Sequence, residues 1–240
     1  MSFGTPGSPP APALGRPPQL SGLPVLRSPQ GLALALTVLL SAAAVVNVAA
    51  TAVSLYTWAL MRDAAADPAA VAADAVRRAE LAAVMVSSFQ MLALLGTAVV
   101  FLVWFHRVRA NGQVFRPDGF TLAGGWAVGS WFVPLGNFFL PYRIAKETWR
   151  ASVPLVPGGP AVSSAPLTSW WILWVLSALS NFPARELYQR ADTPERLGDA
   201  AAFDAFCDLL TVAAAVLAVL FVRRLTALQH AKALGPYAAG

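Results

Sequence analysis

Two long uncharged runs and two shorter, mostly apolar stretches predict buried helices. The first runs from Gly31 to Leu60, well beyond the roughly 20 apolar residues that cross a bilayer. Within it Asn47 and Thr51 lie one helical turn apart and share a face. A polar stretch of mixed charge follows, from Met61 to Glu80. In it Asp67-Pro68 reads as a helix start, with Asp67 as N-cap and Pro68 in the first turn. The predicted helix continues unbroken from Pro68 through the uncharged run Leu81–Phe105 and stops at Asn111-Gly112. Leu167–Leu187 is a third, shorter span bearing Trp170, Trp171 and Trp174. Thr193-Pro194 repeats the cap-plus-proline start and leads into a last span over Phe203–Val222, ending near Arg223-Arg224.

One further uncharged stretch, Phe120–Tyr142, makes a poor ordinary helix. It holds Gly124, Gly125, Gly129, Gly136, Pro134 and Pro141, and two prolines seven residues apart disrupt a simple span. A broken or re-entrant segment buried in protein fits it better. After it, Arg143, Lys146, Glu147 and Arg150 fall on one helical face, with Ile144, Ala145 and Trp149 on the other. That pattern predicts a short amphipathic helix at the membrane surface over 143–150. Residues 152–166 read as a Pro/Gly/Ser linker, and residues 1–30, with eight prolines and two charges, as a disordered tail. The first apolar run begins only at Gly31, so it reads as an uncleaved anchor rather than a signal peptide. The two halves form a weak internal repeat: a span, an acidic outer loop, a proline-started helix, and a span ending in arginines.

Composition agrees with the pattern. The chain is 57% hydrophobic and 12% charged, about half the charge that covers a soluble domain. The expected fold class is an all-α integral membrane bundle of four spans, with a broken segment over 120–142 and an interfacial helix. Arginines and lysines decide its orientation. If Phe120–Tyr142 returns to the side it came from, eleven basic residues lie on one side and six on the other. Five full crossings would split them eight to nine, which is no asymmetry. Four spans with both termini in the cytoplasm is therefore the expected topology, in a bacterial plasma membrane. The net charge of +5 then reads as a topology and lipid signal, not a nucleic-acid signal.

The chemistry legible in the chain is sparse. One cysteine, Cys207, precludes an internal disulfide or a paired-cysteine site, and two histidines make a histidine metal site an unlikely reading. No cofactor or metal is expected. No G-x-S-x-G, H-E-x-x-H or Walker A sequence occurs, so no catalytic residue is assigned and the protein is read as a non-enzyme. Arg107, Arg109 and Arg116, with Arg143, Lys146 and Arg150, are candidate contacts to anionic headgroups or a phosphorylated ligand, unless they serve only to fix topology. Gly125-x-x-x-Gly129 is the spacing that lets helices approach closely in a bilayer. Trp126, Trp131, Pro134, Asn137 and Pro141 complete the candidate structural or pocket residues of the broken segment. Asn137 either bonds backbone groups freed by the prolines or lines a pocket. Trp58, Trp104, Trp149, Trp170 and Trp171 fall near predicted span ends and read as interfacial anchors. The span centres hold no ionisable group, which argues against an ion-coupled pump. Asp208, placed toward the outer end of the last span, is the exception to test.

WFHRVRAN (Trp104–Asn111), FRPD (Phe115–Asp118), GWAVGSWFVP (Gly125–Pro134), Asn137, the run Pro141–Ser152 and SWW (Ser169–Trp171) together resemble a membrane family of actinobacteria defined by domain of unknown function 4328. The resemblance extends over most of residues 31–230, and its specific motifs over about 50 residues. It implies a multi-pass membrane protein and no activity. The sequence thus leads to two expectations of function. One is a non-enzymatic scaffold or regulator that meets membrane lipids, and a protein partner through its Pro-rich tail. The other is a transporter or lipid-handling protein with its site at 120–142.

Overall fold

The computed structural model describes residues 25–154 and 162–235. The predicted tail at 1–24 and the middle of the linker lie outside the described residues. Those described form helices and turns without a strand. Helix α1 is Gln30–Ala66, α2 Ala73–Phe115, α3 Trp126–Gly129, α4 Leu140–Ser152, α5 Ala165–Gln189 and α6 Pro194–Leu234.

Helix ends follow from local chemistry, and three differ from the sequence expectation. Asp67 does act as a cap, its carboxylate accepting from the Ala69 N–H at 2.9 Å, and Pro68 opens the turn. That turn is a single 3₁₀ turn, however. Val71 and Ala72 are extended, so α2 starts afresh at Ala73 instead of running unbroken from Pro68. Asn111-Gly112 does not stop α2 either. The helix ends at Phe115 because Pro117 forces the preceding Arg116 out of helical geometry (φ −151°, ψ 87°). Helix α6 begins as expected, with the Thr193 hydroxyl accepting from Arg196 N–H and Pro194 in the first turn. It then passes Arg223-Arg224 and closes at Gly235, whose positive φ of 61° suits glycine.

Helices α1, α2 and α6 are each long and apolar enough to cross a membrane. At 1.5 Å per residue, 37 residues of α1 reach about 55 Å. Only 6% of the apolar window of α2 is buried inside the protein, and Leu92, Leu94 and Phe89 are all largely exposed. A surface of that kind is stable in an apolar medium and not in water. Helix α5 forms where the third span was expected, but its tryptophans, Thr168, Asn181 and three serines make it less apolar than the other three.

Helices α1 and α6 pack antiparallel as the central pair. Gln30 meets His230 at one end, and Met61 and Trp58 close on Gly198 at the other. Helix α2 lies along α1 and α5 along α6, giving two antiparallel hairpins, α1–α2 and α5–α6. In the half near Phe115, aromatic rings fill the space between α2 and α5. Trp170 stacks on Phe221 at 4.7 Å, and Trp131 stands edge-on to Phe101, Trp171 and Trp174. Trp104, Trp149, Trp170 and Trp171 are thus core residues, not interfacial anchors. The rings of Phe101, Trp104 and Phe105 on α2 face Trp170, Trp171 and Trp174 on α5, and stacked and edge-on pairs add to the stabilisation from buried area. Trp58 alone of the five stays half-buried, under the Arg62 guanidinium.

Helix α4 has the expected faces. Ile144, Ala145 and Trp149 are buried, but against α2 and α6 and not in a lipid surface. Arg143 and Arg150 point outward.

Candidate functional site

Where the aromatic filling ends, α2 and α5 stand apart. A cavity of about 930 Å³ opens between them, lined by Ser87, Ser88, Asn181, Arg185, Tyr188 and Asp204 among apolar neighbours such as Val84, Met91 and Leu92. Asp204 on α6 forms part of its back wall and accepts from the Ser54 hydroxyl of α1 at 3.4 Å.

One turn further along α6 lies Asp208, 7% exposed. The Gln90 amide spends one N–H on Asp208 Oδ1 at 2.8 Å and the other on Asn47 Oδ1 at 3.0 Å. Asn47 returns its own N–H to the Ala43 carbonyl. Asp208 Oδ2 is buried without a partner. The pairing corrects the expected depth of Asp208. Asn47 is at the middle of α1 and Gln90 near the middle of the uncharged run of α2, so Asp208 is central, not at the outer end. The premise that the span centres lack ionisable groups therefore fails.

The opposite end of the bundle carries the predicted cations, and it uses them unequally. Arg109 is 1% exposed. It donates to Gln113 at 2.9 Å and to the Leu122 carbonyl at 2.8 Å, and its guanidinium lies 3.5 Å from the Phe120 ring centre. Burial pushes its pKa down, partly opposed by the Glu147 carboxylate. Arg109 is a structural cation and is unavailable to a headgroup. Arg116, Arg143 and Arg150 are exposed, Arg143 at 3.5 Å from Glu147. Lys146 is half-buried above Tyr142. Arg107 is half-buried and donates weakly to the Ser28 carbonyl at 3.4 Å. It lines a second cavity of about 670 Å³ with Arg27, His106, Val99, Leu102, Val103 and Val128.

Beside that cavity a polar knot ties four segments together. Asn111 exchanges hydrogen bonds with the backbone of Arg27 (3.0 and 2.8 Å) and donates to Gln229 at 3.0 Å. Gln229 donates to the Val108 carbonyl and to Ser152. Lys232 donates to the carbonyls of Ala151 and Val153, capping the end of α4. Its pKa is pushed down by burial and then by Arg116. Gln229, Arg27 and Lys232 are site-shaping residues that carry no motif in the sequence. Only the placement of α6 against α2 reveals them.

The broken segment holds fewer surprises than its glycines suggested. A Cβ on Gly125 would meet nothing within 4 Å, and one on Gly129 only its own turn's Trp126 at 4.0 Å. The Gly-x-x-x-Gly spacing therefore brings no helix close. The close approach occurs at Gly112, where a Cβ would stand 2.9 Å from Phe120 and 3.6 Å from Thr148. Asn137 lies inside the 3₁₀ turn Gly136–Phe138, its N–H donating to the Val133 carbonyl at 2.9 Å, while its side-chain oxygen is buried with no partner among the described residues. Trp131 is the aromatic hub, Trp126 and Pro134 are exposed, and Pro141 is buried in the first turn of α4.

Among the described residues no group of three or more His, Cys, Asp or Glu is placed to hold a metal. Searches of curated proteins and of solved structures return no match to this chain. One family model does match, over residues 67–227, which takes in α2 to most of α6 and leaves α1 outside. Spanning well over half of the chain and all the motifs from Trp104 to Trp171, that match places the protein in the family of the domain of unknown function DUF4328.

Proposed function

We propose that this is a non-enzymatic, four-crossing protein of the bacterial plasma membrane that holds anionic lipid at its cytoplasmic end. The observation that carries the reading is the cavity of about 670 Å³ along α2. Its walls Val99, Leu102 and Val103 form an apolar trough, and Arg27, His106 and Arg107 stand at its head. That order, acyl-compatible below and cationic above, suits a phospholipid whose headgroup bears net negative charge. Val128 closes one side, so the site borders the broken segment. Four crossings follow if α5 spans beside α6, and Trp131 between α2 and α5 then makes residues 120–142 re-entrant. The start of α1 and the end of α6 then share the side rich in arginine and lysine, as in a cytoplasmic leaflet.

The test is lipid retention by the full chain in native mass spectrometry. Phosphatidylglycerol should be retained over phosphatidylcholine, and Arg27→Gln and Arg107→Gln should each weaken retention about fivefold, near 1 kcal/mol per charge. Equal retention of both lipids, or indifference to both substitutions, overturns the proposal.

A scaffold or regulator role is favoured by the exposed Arg116, Arg143 and Arg150 at the same end, which form a cationic face for an acidic protein partner. Affinity capture from membranes that loses a specific partner on triple charge reversal would support it. Capture of the same proteins by the reversed variant would count against it.

A further inference from the structure

We propose that Asp208, with Gln90 and Asn47, forms a mid-membrane site for a small monovalent cation, either a proton or a sodium ion, reached from the cavity between α2 and α5. This inference is independent of the lipid reading and rests on different residues.

The argument begins with an uncompensated charge. A carboxylate 93% withdrawn from solvent, at the centre of apolar helices, is stable only if it is paired or neutralised (7% exposed). The groups that face Asp208 do not do this. Helix α1 offers Asn47, with Thr51 and Ser54 beyond it, none of them charged. Helix α2 offers Gln90, which supplies one neutral donor to Oδ1. Helix α6 itself brings Asp204 and Cys207, and Asp204 adds negative charge. From α5 come Tyr188 and Arg185 on the cavity wall; among the described residues Arg185 makes no ion pair with either aspartate. Among the described residues no group reaches Oδ2. A proton bonded to Oδ2, or a cation coordinated there, supplies the missing positive charge.

Geometry also gives the site a route and a side. Asp204 lines the cavity and is one turn from Asp208, so a cation passes from the cavity to Asp204 and then inward. Toward the other end the passage meets the packed rings of Trp104, Phe221, Trp170 and Trp131. Access is therefore from the cavity end of the bundle.

The test uses the full chain in nanodiscs of zwitterionic lipid. Tm is measured against pH, and separately against sodium chloride with choline chloride holding ionic strength constant. If the ligand is a proton, Tm rises as pH falls and ignores sodium. If it is sodium, Tm rises with sodium by about 3–5 °C for each tenfold increase once the site fills. Asp208→Asn, nearly isosteric and permanently neutral, should abolish whichever dependence the native protein shows. A variant-free check is pH-difference infrared spectroscopy with ¹³C-labelled aspartate, which reads proton transfer at a carboxyl directly. A native protein with neither a sodium-dependent Tm nor an aspartic-acid band that changes with pH overturns the proposal. So does an Asp208→Asn protein that responds like the native one.

Discussion

Two glycine motifs in one chain show how little a spacing says about contact. Gly125 and Gly129 have the interval that brings membrane helices together, yet both face open space. Gly112 has no such partner and is the point where α2 admits Phe120 and Thr148. Substitution should separate them. Gly125→Ala and Gly129→Ala should change stability by less than about 0.5 kcal/mol. Gly112→Val should cost about 1–3 kcal/mol, since it displaces Phe120 from beneath a buried guanidinium. Thermal unfolding in detergent reads all three. Arg109 makes the same point for charge. It was grouped with Arg107 and Arg116 because sequence gives no way to know which cation turns inward. Arg109→Gln leaves the Leu122 carbonyl short of its donor and should cost about 1–3 kcal/mol. The exposed Arg150→Gln should be near neutral in the same assay.

At the level of elements, α2 and α6 run parallel and meet in a common register. Gln90 pairs with Asp208 and Asn111 with Gln229, both pairs separated by 118 residues. The two pairs fix a single constant offset between α2 and α6. The Gln229 knot holds that register, because its amide serves α2 and α4 directly and reaches the Arg27 segment through Asn111. Gln229→Leu, close in volume but without donors, should destabilise by about 2–4 kcal/mol and expose Asn111 to labelling or exchange. Loss of less than 0.5 kcal/mol would show that packing alone fixes the register. The start of α6 at Pro194 is legible because proline and its cap act within one turn, whereas the same pair at Asp67-Pro68 opens only a 3₁₀ turn and α2 starts at Ala73. The stop of α2 was misplaced because Asn111-Gly112 has a tertiary use that overrides its local preference.

For the whole molecule, the number of crossings is the quantity to measure. Single cysteines placed at Asp67, Asp118, Asp192 and Gly235 in a Cys207→Ser background should react with an impermeant maleimide from outside intact cells at 67 and 192 only. Protection at 192 with reaction at 235 would put the broken segment across the membrane and remove the four-crossing layout. The sequence by itself determined that long uncharged helices exist, roughly where they lie, and that basic residues crowd one end, because hydropathy and charge are local sums that any apolar solvent reads the same way. It could not say that four tryptophans leave the interface for the core, that Arg109 is buried while Arg116 is not, or that Asp208 shares a level with Asn47. Those facts depend on which faces of α1, α2 and α6 meet and at what offset. Side-chain packing between elements decides that, across separations from 13 residues for Arg109 and Leu122 to 118 for Gln90 and Asp208.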